Sequence, residues 1–125
     1  MDNPNIDADK RHFQRIPFIA DVVVELEDKK WNCQLIDISL KGFLIEPPEN
    51  IAPETDVQYF IRLILSENVV ISSHAEIAHT ETTYWGFKWL DIDIDSFSSL
   101  RRLLEHNMTD PRQISRELAD LMDSQ

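Results

Sequence analysis

Apolar and polar residues alternate along most of this chain with the period of two that is typical of β-strands. In the segment "IADVVVELE", Ala20, Val22, Val24 and Leu26 share one face, and acidic residues dominate the other. Segments of this kind are separated by polar turns, the first expected at 28–30. They cover residues 19–27, 31–38, 43–46, 57–65, 69–80 and 82–92. Strands in series with short turns favour a mainly β fold, a six-stranded antiparallel sheet that curls or closes into a small barrel, which would also remove exposed edges.

The spacing of apolar residues becomes helical after residue 92. A first helix is expected to begin at a cap, Asp95 or Ser96. Its apolar positions are Phe97, Leu100, Leu103 and Leu104. We expect this helix to cover one opening of the barrel.

A second helix is predicted in "DPRQISRELADLM", with Asp110 as N-cap and Pro111 at the first helical position. Its apolar stripe consists of Ile114, Leu118, Leu121 and Met122. We expect the stripe to pack on the same body, with presentation to a partner as the alternative.

Length and composition indicate one globular domain. The chain has 125 residues, of which 42% are hydrophobic and 28% charged. It contains no apolar run long enough to cross a membrane, its first residues are polar and acidic, and a single cysteine cannot form an internal disulfide. We therefore expect a cytoplasmic monomer with a flexible arm at 1–9, a main domain at 10–107 and a C-terminal helix within 108–125.

The charge of the chain limits its partners. Lys and Arg number 12 against 23 Asp and Glu, for a net charge of −11. A nucleic acid polymer or an anionic membrane needs a wide basic surface, which this composition disfavours. Lys10, Arg11 and Arg15 nevertheless form a local basic cluster ahead of the first strand, which suits a compact anionic ligand.

Enzymatic motifs are mostly absent. The four histidines lack metal-ligand spacing, and two glycines cannot build a phosphate-binding loop. Ser39 lies near Asp37, but no histidine is placed by the sequence to act as its base. We therefore expect no enzyme activity, no metal and no cofactor.

Two short motifs remain. The first is R-x-x-x-R, formed by Arg11 and Arg15. The second is D-x-S-x-x-G in "DISLKG", formed by Asp37, Ser39 and Gly42, where the aspartate and serine suit a turn and the glycine a positive φ. Each motif alone is common. In this order, in a β-rich chain of this size, they resemble the PilZ domain, the bacterial receptor module for cyclic di-GMP, over about residues 10–107.

The resemblance implies that these five residues bind cyclic di-GMP. Arginine can meet the O6 and N7 acceptors of guanine with both arms of its fork, and it also pairs with phosphate. The aspartate can accept from the guanine N1–H and N2–H groups, and the serine adds a hydroxyl. Gly42 lets the backbone approach closely and makes the strand turn.

Two further positions are implied less directly. Lys10 precedes the arginine motif, where an arginine in this family goes with two bound ligand molecules, and we expect two here. His79 ends the fifth predicted strand, where similar proteins place an aromatic residue against a guanine. Tyr84 or Trp85 could also stack there, and an ordinary surface histidine is the alternative for His79.

The resemblance implies a receptor whose N-terminal arm becomes ordered around the ligand and signals to an unidentified protein effector. The alternative is a PilZ-like adaptor that works by protein contacts without nucleotide. A small barrel that binds single-stranded nucleic acid is disfavoured by the negative charge of the chain.

Overall fold

The computed structural model describes residues 13–123 and forms over that range seven β-strands and two α-helices. The strands are β1 (Ile16–Pro17), β2 (Asp21–Leu26), β3 (Lys29–Ile38), β4 (Gly42–Ile45), β5 (Tyr59–Ser66), β6 (Val69–Thr80) and β7 (Trp85–Ile92). The helices are α1 (Ile94–Asn107) and α2 (Gln113–Asp123). The six predicted strands are present, and the two-residue strand β1 is additional.

Strands β2 to β7 form a closed antiparallel barrel. The hydrogen-bonded order is β3-β2-β5-β6-β7-β4, and β4 pairs back with β3 to complete the circle. Strand β1 pairs with the end of β3, so that Pro17 lies opposite Asp37. The predicted six-stranded barrel is confirmed, and β1 attaches the N-terminal lead-in to it.

The barrel interior is filled by the apolar face that the alternation predicts. Val22 and Val24 are almost fully buried, and Ala20 and Leu26 are 9% exposed. Cys33 is also buried, and burial together with nearby Glu46 raises the pKa of its thiol to about 11. This cysteine therefore stays protonated at neutral pH.

The first hairpin turn is shorter than predicted. Strand β2 ends at Leu26 and β3 begins at Lys29, so Glu27 and Asp28 form the turn. Glu27 adopts a φ of 56°, which a two-residue turn between right-twisted strands requires. Lys30, expected in the turn, is part of β3.

Helix α1 begins earlier than predicted. Its N-cap is Asp93, whose carboxylate accepts a hydrogen bond from the Ser96 N–H at 2.6 Å. Neither Asp95 nor Ser96 is the cap. Ser96 is buried instead, and its hydroxyl accepts from the Ser72 N–H of β6 at 2.9 Å. This bond, together with buried leucines of the predicted face, docks α1 on the barrel.

Helix α2 begins after a tight turn. The Asp110 carboxylate accepts from the Arg112 N–H at 3.1 Å, and the Gln113 N–H bonds the Asp110 carbonyl. Pro111 therefore lies in a 3₁₀-type turn ahead of the helix. Ile114 is buried in the core cluster, whereas Met122 at the far end of the stripe is 75% exposed. Within residues 13–123, neither helix has the length and apolar character needed to cross a membrane.

Candidate functional site

A row of four paired residues crosses the outer face of the barrel. Asp37 of β3 lies opposite Leu44 of β4, Leu44 opposite Gly86 of β7, and Gly86 opposite His79 of β6. Paired positions project to the same face, and three strand spacings separate the ends of the row by about 14 Å. Leu44 is buried yet lies outside the core cluster. Its side chain reaches to where a Gly86 side chain would lie, so the middle of the row is a low apolar floor.

A second row runs beside the first. Gly42 of β4 lies opposite Lys88 of β7, and Lys88 lies opposite Glu76 of β6. The Lys88 Nζ and Glu76 Oε1 atoms are 3.0 Å apart. One end of this row has no side chain, and the other is occupied by an ion pair.

Ser39 holds the turn between β3 and β4. Its N–H donates to the Gly42 carbonyl at 2.8 Å. Its hydroxyl oxygen accepts from the N–H groups of Lys41 at 3.2 Å and Gly42 at 3.3 Å. The hydroxyl is buried and engaged with backbone, so the first role of Ser39 is to fix the turn.

Gly42 is required by the close approach of β7. A Cβ atom at this position would lie 1.9 Å from the Phe87 carbonyl oxygen. The expectation of a positive φ is wrong, because neither glycine of the chain has one. The sequence therefore indicated the right residue type, and contact with the neighbouring strand is the reason for it.

Arg15 and Asp37 meet at the edge of the first row. The Arg15 Nε atom lies 4.0 Å from Asp37 Oδ1, and the two side chains are 58% and 17% exposed. Burial raises the pKa of Asp37, and the nearby Arg15 guanidinium opposes that rise. Asp37 Oδ1 is buried and accepts no hydrogen bond from any residue within 13–123. The site therefore contains an unsatisfied acceptor beside an exposed guanidinium.

A cleft of about 880 Å³ lies over the second row. Its walls are formed by the lead-in at 13–15, the turn at 39–42 and Gln113 at the start of α2. Ala78 and Lys88 form part of its floor. The volume is in the range of sites for nucleotide-sized ligands.

The structure brings together part of the predicted site. Arg15, Ser39 and Gly42 line the cleft, and Asp37 contacts Arg15 from the adjoining row. Lys10 and Arg11 lie outside the described residues.

His79 lies at the far end of the first row and does not line the cleft; its neighbour Ala78 does. The His79 Nε2 atom is 2.8 Å from Glu81 Oε2, and its ring lies 5.7 Å from that of Tyr84. Trp85, suggested as another stacking residue, is buried in the core and cannot stack on a ligand at the surface.

Among the residues that the sequence did not identify, two support the site through hydrogen bonds. Trp89, assigned only a packing role, donates from its indole Nε1 to the Ser39 carbonyl at 3.2 Å, and its N–H bonds the Lys41 carbonyl. It therefore supports the turn from β7. The position of Trp89, two residues after Phe87, predicts only packing in a strand. The sequence therefore carries no signal of this hydrogen bond.

Glu117 is the second. Its side chain is fully buried in α2, and Oε2 accepts from the Gln14 N–H at 2.9 Å and from Gln113 Nε2 at 3.3 Å. Burial raises its pKa, and the hydrogen bond from Gln14 opposes the rise. Glu117 lies three residues after Ile114 and therefore on the same side of the helix. A carboxylate on this apolar side was the signal available in the sequence.

No group of histidine, cysteine or carboxylate side chains within 13–123 is arranged to hold a metal ion. A closed antiparallel barrel with a cleft on its outer wall, bordered by a charged lead-in, defines a small β-barrel binding module. The chain belongs to the PilZ domain family, whose model matches residues 9–106. PilZ domains are receptor and adaptor domains rather than enzymes.

Solved structures of low sequence identity share the fold. The PilZ domain of YcgR from Escherichia coli, solved with c-di-GMP, is 17% identical with a TM-score of 0.61; the match covers 86% of this chain and 95% of that one. The PilZ domain of CeSA from a cellulose-synthesizing bacterium is 20% identical with a TM-score of 0.59, over 72% and 93% of the two chains. The Bacillus subtilis inhibitor of motility MotI/DgrA is 15% identical with a TM-score of 0.60 over 74% of this chain, which spans 50% of that protein.

Proposed function

We propose that this protein is a receptor for cyclic di-GMP and that the ligand binds on the outer face of the barrel between the lead-in and the β3–β4 turn. The observation that carries the proposal is the Arg15–Asp37 pair at the edge of an 880 Å³ cleft lined by the other described motif residues. Membership of the PilZ family supports it. So does the YcgR domain of similar fold, which was solved with this ligand.

The chemistry of the pair matches a guanine. The exposed guanidinium of Arg15 can donate to O6 and N7 at once. The unsatisfied Oδ1 of Asp37 can accept from N1–H or N2–H, which would remove the cost of an unpaired buried acceptor. Lys10 and Arg11 would add positive charge from the lead-in, consistent with two bound molecules. His79 could then contact a base that extends along the apolar floor past Gly86.

The Glu117–Gln14 hydrogen bond suggests how the signal leaves the site. Gln14 adjoins Arg15, and its N–H is bonded to a buried carboxylate of α2. A ligand that draws the lead-in over the cleft would strain or break this bond, so binding and the position of α2 would be coupled. A protein effector could read the changed surface formed by the lead-in and α2.

Isothermal titration with cyclic di-GMP tests the proposal. We expect binding at micromolar concentration or tighter, lost in Arg11→Ala and Arg15→Ala with unchanged thermal unfolding. Arg101→Ala is a matched control, because this arginine lies on α1 and pairs with Glu105, away from the cleft. The absence of heat and of chemical-shift change at saturating ligand would rule out the proposed function.

A specific observation favours the second candidate, an adaptor that binds no nucleotide. The Ser39 hydroxyl is already used by the turn, and Asp37 already pairs with Arg15. Under this alternative the motif only stabilises the fold. Wild-type protein would then fail to bind the ligand, whereas Ser39→Ala, which removes the acceptor of the Lys41 and Gly42 N–H groups, would still lower the free energy of unfolding.

A further inference from the structure

Lys41 is an exposed lysine at the mouth of the cleft. Its Nζ atom lies 4.9 Å from the centre of the Phe13 ring, and it forms no ion pair within residues 13–123. Lys88, the other lysine of the cleft, is held by Glu76 at 3.0 Å. Within residues 13–123 the two therefore differ: the charge of Lys88 is compensated by a carboxylate, and that of Lys41 contacts the face of an aromatic ring.

The backbone of Lys41 is fixed on both sides. Its N–H donates to the Ser39 hydroxyl at 3.2 Å, and its carbonyl accepts from the Trp89 N–H at 3.1 Å. A long side chain on an anchored backbone can turn towards an anion without moving the turn itself. A cation–π contact at an exposed site is worth about 0.5–1 kcal/mol, so a phosphate could displace it readily.

Charge counting shows a need for this lysine. Two cyclic di-GMP molecules carry four negative charges, whereas Lys10, Arg11 and Arg15 supply three positive ones, one of which is opposed by Asp37 beside Arg15. Lys88 adds nothing to the balance while Glu76 neutralises it. Among the described lysines of the cleft, Lys41 is therefore the one whose charge can reduce this deficit.

We propose that Lys41 binds a phosphate of cyclic di-GMP and supplies the positive charge that the second ligand molecule requires. This inference rests on the proposed function and goes beyond its two motifs, because Lys41 occupies an unspecified position of D-x-S-x-x-G.

Titrations of wild type, Lys41→Met, Lys41→Arg and Lys30→Met with cyclic di-GMP test the inference. Lys30 lies at the start of β3, opposite Glu25, and its replacement controls for the change in net charge. We expect Lys41→Met to reduce the stoichiometry from two to one or to weaken the second binding step by about tenfold. Lys41→Arg should keep two sites, and Lys30→Met should behave like wild type.

The outcomes separate this inference from the receptor function. No binding by wild type would overturn both. If wild type binds two molecules and Lys41→Met does the same, the role of Lys41 is overturned but the receptor function stands. One-to-one binding by wild type would have the same consequence. Loss of the second site in both Lys41 variants would indicate a structural role through the turn and would also contradict the inference.

Discussion

The buried carboxylate of Glu117 in α2 accepts a hydrogen bond from the backbone N–H of Gln14, at 2.9 Å. The two residues are 103 positions apart in sequence. This bond connects the C-terminal helix to the lead-in one residue before Arg15, the described arginine of the proposed site. Through this bond, α2 contacts the segment that carries Arg15 as well as packing on the barrel.

Two substitutions of Glu117 should distinguish the contribution of its hydrogen bond to stability from the contribution of its charge. Glu117→Ala leaves the Gln14 N–H without its acceptor and should lower the free energy of unfolding by about 1–3 kcal/mol. Glu117→Gln keeps an acceptor and removes a charge that burial disfavours. We expect it to be more stable than wild type at pH 7, as measured by urea unfolding.

The pH dependence follows from the raised pKa of Glu117. The folded protein holds the Glu117 proton more tightly than the unfolded chain, so this group's contribution to stability is fully present below pH 4.5 and is lost as pH rises through the folded pKa. The stability advantage of Glu117→Gln should therefore shrink as pH falls from 7 towards 4.5. An advantage that is constant or grows over this range would contradict the assignment.

The two glycines should respond differently to the same substitution. An alanine Cβ at position 42 would overlap the Phe87 carbonyl, so the paired strands would have to move apart. We expect Gly42→Ala to lower the free energy of unfolding by about 3 kcal/mol or more. Denaturant unfolding, with circular dichroism to confirm the fold, measures this effect.

Gly86→Ala is the matched control. Its Cβ would lie 3.0 Å from the Leu44 Cδ2 atom, the end of a flexible side chain that can rotate away. We expect a loss of about 1 kcal/mol or less, partly offset by the reduced freedom of the unfolded chain. Equal losses at both positions would mean that contact with β7 is not what requires Gly42.

The sequence predicted the barrel because its strands alternate cleanly. Residues 69–80 were predicted to form one strand, and β6 has these bounds. Contacts between distant segments could not be predicted in this way. The cap of α1 was placed at Asp95 or Ser96 because both are good caps locally, but Ser96 is bonded to Ser72 of β6 and Asp93 takes the capping role.

The candidate site also depends on contacts between distant segments, which local sequence patterns do not predict. A motif can name Asp37 and Ser39, but only the register places Asp37, Leu44, Gly86 and His79 in one row. The pairing of Glu117 with Gln14 joins the two ends of the described chain, and no local pattern encodes it.

The affinity for cyclic di-GMP should depend on the protonation of Asp37. Only the ionised carboxylate is a pure acceptor for guanine N–H groups, and burial raises its pKa above the usual 3.8. As pH falls towards the raised pKa, Asp37 takes up a proton and binding should weaken at a higher pH than an ordinary aspartate would cause. Fluorescence titration between pH 7 and pH 4.5 measures this.

Two variants test whether Asp37 causes this pH dependence of the affinity. Asp37→Asn should bind weakly at every pH and lack the acid fall. Asp21→Asn should keep the wild-type profile, because Asp21 bonds Gln34 on the surface away from the cleft. A wild-type affinity that is flat over this range would show that Asp37 does not receive the guanine.

Trp89 should couple the stability of the β3–β4 turn to ligand binding. Trp89→Phe retains an aromatic ring beside Phe43 but loses the indole bond to the Ser39 carbonyl. We expect the free energy of unfolding to fall by about 1 kcal/mol, the usual net value of one hydrogen bond. A less rigid turn should also weaken cyclic di-GMP binding by roughly threefold or more, because preorganised sites lose affinity when their support is removed.

Trp31→Phe is the control for this substitution. Trp31 packs from the start of β3 opposite Val24, and its indole forms no hydrogen bond with any residue from 13 to 123. It should lose a comparable amount of packing without any change in ligand affinity. If both variants bind equally well, the Trp89 bond stabilises the barrel without supporting the site, and the turn is rigid through Ser39 alone.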